Sequence, residues 1–158
     1  MFLPALLASS LAMPRATTDG APQRLRLVSC RLERGPVATS RVSAEFDGPA
    51  ESQRIVCRQE GSACPGGDLR LAALATLSAI TQATGGALTF ELIGVKPVRA
   101  FDTTVMMVAV FAQQGGDVTR IVGAAIVEDD QLVATARAAL HAANRLSSSL
   151  FEQLPPVR

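Results

Sequence analysis

The run RIVC at 54–57 returns as RIVG at 120–123, and each copy leads through a turn into an alanine-rich stretch. The first stretch is LRLAALATLSAI and the second is LVATARAALHAANRL. A repeat of this length constrains a fold strongly, because one supersecondary unit must serve twice. Aligning the halves extends it. LVSCRLER at 27–34 lies over LIGVKPVR at 92–99, an offset of 65. A second strand-like run follows in each half, RVSAEFD at 41–47 and TTVMMVAVFAQQ at 103–114. A third pairs SQRIVCRQ at 52–59 with VTRIVGAAIV at 118–127, an offset of 66.

These runs read as strands of two kinds. Val42, Ala44 and Phe46 alternate with polar neighbours, as in a half-buried strand. The run at 103–114 is apolar on both faces, which predicts a strand covered on both sides. Each half then closes with a helix. Asp68 is the predicted N-cap of the first, after Gly66-Gly67, with Leu69, Ala73, Leu77 and Ile80 at helical spacing and Gly85-Gly86 as the stop. Asp129 or Asp130 caps the second, whose face is Leu132, Ala136, Ala139, Ala143 and Leu146, ending at Ser147-Ser148-Ser149. The order is therefore β-β-β-α, twice. Short turns predict antiparallel meanders with the helices on one face. The expected fold is α+β, two such units with internal pseudo-twofold symmetry. It forms one domain at 23–149, split into repeats at about 23–86 and 87–149. A disordered leader or weakly signal-like segment is expected at 1–22 and a loose tail at 150–158.

Composition narrows the function. Fifteen basic residues against fourteen acidic give a net charge of +1, which offers no long-range pull toward nucleic acid or an anionic membrane. Six Phe, with no Trp or Tyr, leave Ala, Val, Leu and Ile to build the core. Each small side chain buries little area, so extra burial against a partner is favoured. Three cysteines and one histidine make neither a disulfide framework nor a zinc site. The leader has a short apolar run, Phe2 to Leu7, but no basic n-region. The expected location is cytoplasmic, the alternative being export if residues 1–12 act as a signal.

The tandem layout, with VEDDQLVATARAALHAANR at 127–145, resembles the C-terminal regulatory and dimerisation domain of 2-isopropylmalate synthase and related synthases. Val127, Asp130, Ala134, Ala136, Ala138, Leu140, Ala142 and Asn144 fall on that family's turn-and-helix pattern. The resemblance implies a shared fold and a shared way of pairing. The family's Gly-Arg-Gly turn is GAAIVEDD here, without the arginine, so leucine binding is not implied. The stretch from Asp68 to Leu146 also looks like a double-stranded-RNA-binding module. That module needs a basic cluster where this chain has Glu128, Asp129 and Asp130.

Candidates for chemistry are few. His141 is a general-base candidate with no sequence-visible nucleophile, and reads otherwise as an ordinary helix histidine. Cys64, in a Pro-Gly turn, is the one thiol expected to react, while Cys30 and Cys57 match Val95 and Gly123 and read as small buried hydrophobes. Asn144 is either a helix-end polar group or a register-setting contact between helices. No phosphate loop or cofactor motif is present in the sequence. The expected function is a non-catalytic regulatory or interaction module. It would pair as a homodimer through an apolar sheet face or the alanine-rich helices and could take a small effector. Its interface or effector region would include Gly123, Ala124, Ala125, Ala139, Ala143 and Asn144. The alternatives are a small enzyme using His141 or Cys64, and a secreted or envelope protein.

Overall fold

The computed structural model describes residues 23–50 and 52–153. Eight elements follow in the order β1 (Arg26–Arg34), β2 (Thr39–Asp47), β3 (Arg54–Ser62), α1 (Pro65–Ala83), β4 (Leu88–Ala100), β5 (Thr103–Gln114), β6 (Asp117–Ile126) and α2 (Gln131–Gln153). They form two antiparallel sheets of order β1-β2-β3 and β4-β5-β6. The layout is α+β, with a β-β-β-α order in each half. Short connections leave consecutive strands no option but hairpins. Phe101-Asp102 joins β4 to β5 with φ of 51° and 59°, and Gly115-Gly116 joins β5 to β6 with φ of 56° and 93°. Both pairs show the positive φ signs of a type I′ turn, whose twist matches that of the strands.

Alternation sets the inner face of each sheet. Val42, Ala44 and Phe46 of β2 are fully buried, as are Met106, Val108 and Val110 of β5. α1 packs on β2 and β3 and also reaches β4; α2 packs on β5 and β6 and also reaches β1. The helices pack on each other, so the core lies between them and the two inner faces. Alanine makes the close approach possible: Ala72, Ala75, Ala79, Ala138 and Ala142 have no exposed surface. Gly123 shows how close. A Cβ there would lie 2.0 Å from the Ala138 carbonyl oxygen and 2.4 Å from the Ala142 nitrogen. Large side chains are few, and truncating a fully buried one such as Phe46 or Phe151 costs about 3–5 kcal/mol.

Several local expectations change. The cap of α1 is Cys64, not Asp68: the Cys64 Sγ accepts from the Gly67 N–H at 3.2 Å, and Pro65 opens the first turn. Gly66-Gly67 therefore lies inside the helix. Asp68 is instead a nearly buried carboxylate gripped by both guanidinium nitrogens of Arg34, at 2.9 and 3.1 Å. That fork ties the β1–β2 hairpin to α1. Asp130 does cap α2, accepting from the Leu132 N–H at 2.8 Å. α2 does not stop at Ser147-Ser148-Ser149. It runs to Gln153, so residues 150–153 are not a loose tail, and Phe151 is buried against the core. Serine hydroxyls make this continuation possible, with Ser148 Oγ donating to the Asn144 carbonyl at 2.7 Å. The leader and residues 154–158 lie outside the described residues. Finally, β5 is covered on one face only.

Candidate functional site

Register decides which side chains share the open face of each sheet. On the first sheet, Arg41 pairs with Glu60, Ser43 with Arg58, Glu45 with Val56 and Asp47 with Arg54 across β2 and β3. Arg41 forms an ion pair with Glu60, and Arg54 bonds Glu45 at 2.8 Å and Asp47 at 3.1 Å. The bond to Asp47, then the charge of Glu45, raise the Arg54 pKa above its ordinary value. This face is mainly charged, with Val56, 46% exposed, the apolar member of these outer pairs.

The second sheet is finished otherwise. Its outer rows read Val105 with Ile126, Met107 with Ala124, Ala109 with Val122, Phe111 with Arg120 and Gln113 with Val118. β4 adds Val98 beside Val105 and Lys96 beside Met107. Val118 is 61% exposed, Ile126 57% and Met107 38%. The central rows are apolar, and the charged residues Glu91, Lys96 and Arg120 stand on the two outer strands. A face three strands wide and a strand long covers about 500 Å², from a spacing of ~4.8 Å and a rise of ~3.3 Å. Its apolar centre is smaller than the whole face, and contiguous patches of this kind are often functional. At the Leu88–Gln114 end the face dips into a hollow of about 230 Å³ lined by Thr89, Glu91, Phe111, Gln113 and Val118 among others. At the opposite end stands Phe101, 98% exposed at the tip of its turn.

The residues expected to form the interface fall mostly elsewhere. Gly123 and Ala125 face α2, and Ala139 and Ala143 have no exposed surface, so the alanine-rich helix face is spent inside the chain. Ala124 alone of the six projects from the open face, in the row of Met107. Asn144 is not at a helix end. Its Oδ1 is buried and, with the Ser147 Oγ, has no hydrogen-bond partner among the described residues. His141 is exposed, and its Nδ1 lies 3.2 Å from the Ala124 nitrogen and 3.1 Å from the Ala124 oxygen. It accepts from that N–H or donates to that carbonyl, according to tautomer. Its ring therefore holds the main chain of β6, an outer strand of its sheet.

The cysteines separate by environment. Cys30 is buried, and that burial, with the Asp130 charge as a smaller cause, pushes its thiol up to about 12. Cys57 is half-buried, which raises it also, and its thiol donates to Gln82 Oε1 at 3.7 Å. Cys64 is exposed, serving as the cap of α1. Beside Cys57 runs a groove of about 500 Å³ between β3, α1 and β4, walled by Val56, Arg58, Gln59, Leu74, Ser78 and Phe90. Among the described residues no three His, Cys, Asp or Glu side chains cluster to hold a metal ion, and no helix is long and apolar enough to cross a membrane.

The open face was legible only in fragments. Val118, Val122 and Ile126 alternate in β6, and β5 is apolar on both sides. Neither signal says that the two sets lie side by side; the hairpin register does. No protein-family model matches the chain, and no curated protein is significantly similar to it.

Proposed function

We propose that the chain is a non-catalytic interaction module of the regulatory kind, pairing with a second copy of itself through the outer face of the β4-β5-β6 sheet. The observation that carries this reading is the apolar stripe of Val105, Met107, Ala109, Val122 and Ile126 on a sheet whose other face is already filled. Pairing two such faces buries about 1,000 Å² in total, the lower bound for a specific interface. Packed aliphatic centres with charged margins are the usual anatomy of one. The layout-level resemblance to the synthase dimerisation domain supports the same reading. A small effector has its best place in the groove beside α1, where Gln59, Ser78 and Gln82 offer hydrogen bonds and Arg58 a positive charge. The thiols of Cys30, Cys57 and Cys64 are free, which suits the reducing cytoplasm.

Light scattering after size exclusion tests the pairing. The expected mass is twice the 16.5 kDa of one chain. Met107→Lys with Val122→Glu should give a folded monomer. A double variant that remains dimeric would sink the proposed face.

A further inference from the structure

The open face has two ends that differ, and the difference assigns the direction of pairing. At one end, Phe101 occupies the first position of a two-residue turn at φ 51°. That position favours Asn, Asp or Gly, and a bulky aromatic there is strained. The ring makes no compensating burial within the chain, being 98% exposed. Val37 of the other half is also exposed at a positive φ of 57°, so what distinguishes Phe101 is its place at the end of the apolar face, opposite the hollow. At the other end lies the hollow walled by Phe111 and Val118, with room for one aromatic side chain.

We propose that Phe101 of each copy seats in the Phe111–Val118 hollow of the other, so that the two sheets pack with their strands reversed about a twofold axis near Met107. This rests on the reading of the open face as the pairing surface. Phe101 lies in the turn just before β5 and the hollow is lined by residues 111 and 113, so at ~3.4 Å per residue each end stands about 15–20 Å from Met107. A twofold across the strands at Met107 therefore lays each tip over the partner's hollow. It sets Met107 against its own copy, a contact a flexible thioether tolerates, and brings Ala124 near its own copy beside it. Phe101 and Phe111 then meet as an aromatic pair at each end. The two Lys96 side chains also approach at the margin, where their long stems keep the charges in water.

The test uses the full chain with three readouts. Phe101→Asn should weaken pairing at least 30-fold by sedimentation, the loss expected of an interface anchor. In the Met107→Lys, Val122→Glu background, expected to be monomeric, the same change should raise the melting temperature by a few degrees, because asparagine suits the turn. Phe101→Cys with Val118→Cys, in a Cys64→Ser chain, should give a disulfide between copies. A dimer that Phe101→Asn leaves intact, a 101–101 crosslink in place of 101–118, or a monomer destabilised by Phe101→Asn would each overturn this arrangement while leaving the pairing face in place. A parent chain that is monomeric would overturn both.

Discussion

On the outer face of the β1-β2-β3 sheet Arg41 meets Glu60, and Arg54 meets Glu45 and Asp47; in the other sheet the same face offers Val105, Met107, Ala109 and Phe111. Both sheets have the same strand order, and both bury an apolar inner row against the helices. What separates them is solvent chemistry. Neither outer face does much for the fold of a single chain. Exposed ion pairs contribute about 0–1 kcal/mol each, and exposed Val or Met gains nothing from burial it does not have. The inner rows specify the fold, and the outer rows specify what the folded chain meets. One outer face presents mainly charged pairs to solvent, and the other presents a mainly apolar stripe.

The comparison can be pressed at the strand–helix contact first. Gly123 of β6 and Cys57 of β3 stand at matching places in the sequence repeat; a side chain at Gly123 would run into the α2 backbone, while that of Cys57 lines a groove. Gly123→Val should cost about 3 kcal/mol or more, because carbonyl and amide atoms cannot yield as side chains do. Cys57→Val, beside an open groove, should change stability by less than about 1 kcal/mol. Urea unfolding of both variants checks this, and equal losses would show that the halves are packed alike.

A second contrast concerns pH. Cys30 sits in β1 where β4 has Val95. Its thiol is pushed from 9.0 to about 12 in the fold, so the protonated form is favoured there. The stability that this thiol contributes is fully present below pH 9 and is lost as pH rises from 9 toward 12, where the unfolded chain ionises and the folded chain does not. Cys30→Val should flatten that decline. Denaturation midpoints between about pH 8 and pH 10.5 decide it; an unchanged slope would mean that other groups carry the alkaline loss.

The smallest effect belongs to the charged face. Arg41→Ala with Glu60→Ala should alter stability by less than about 1 kcal/mol and leave the oligomeric state untouched. A change of mass in light scattering would show that the first sheet also takes part in assembly.

Six strands and two helices were legible because their periods of two and near 3.6 are written plainly in the residues. The places where reading fell short each have a physical cause. Pro65 at the first helical position was a usable signal for the start of α1, but the negative charge of Asp68 drew the cap to itself, and the tertiary partner Arg34 lies 34 residues earlier. Three serines looked like an ending, while Phe151, four positions after the buried Ser147, carried the helical period onward. The alanine stripe of α2 looked like a surface for a partner, because sequence shows that a face is apolar without showing what fills it. Gly123 fills it from within the chain. For the candidate site, β5 displayed its second apolar face openly, but no local pattern distinguishes a strand covered on both sides from one waiting to be covered.

The bond between His141 and the Ala124 main chain bears on how far assembly can go. An outer strand with bare amides and carbonyls invites another strand, and each addition exposes a new edge, so growth has no natural end. With an imidazole resting on Ala124, such lateral growth is interrupted midway along β6. In the proposed pair, contact through the face closes after two copies, while the imidazole guards the β6 edge against a further strand.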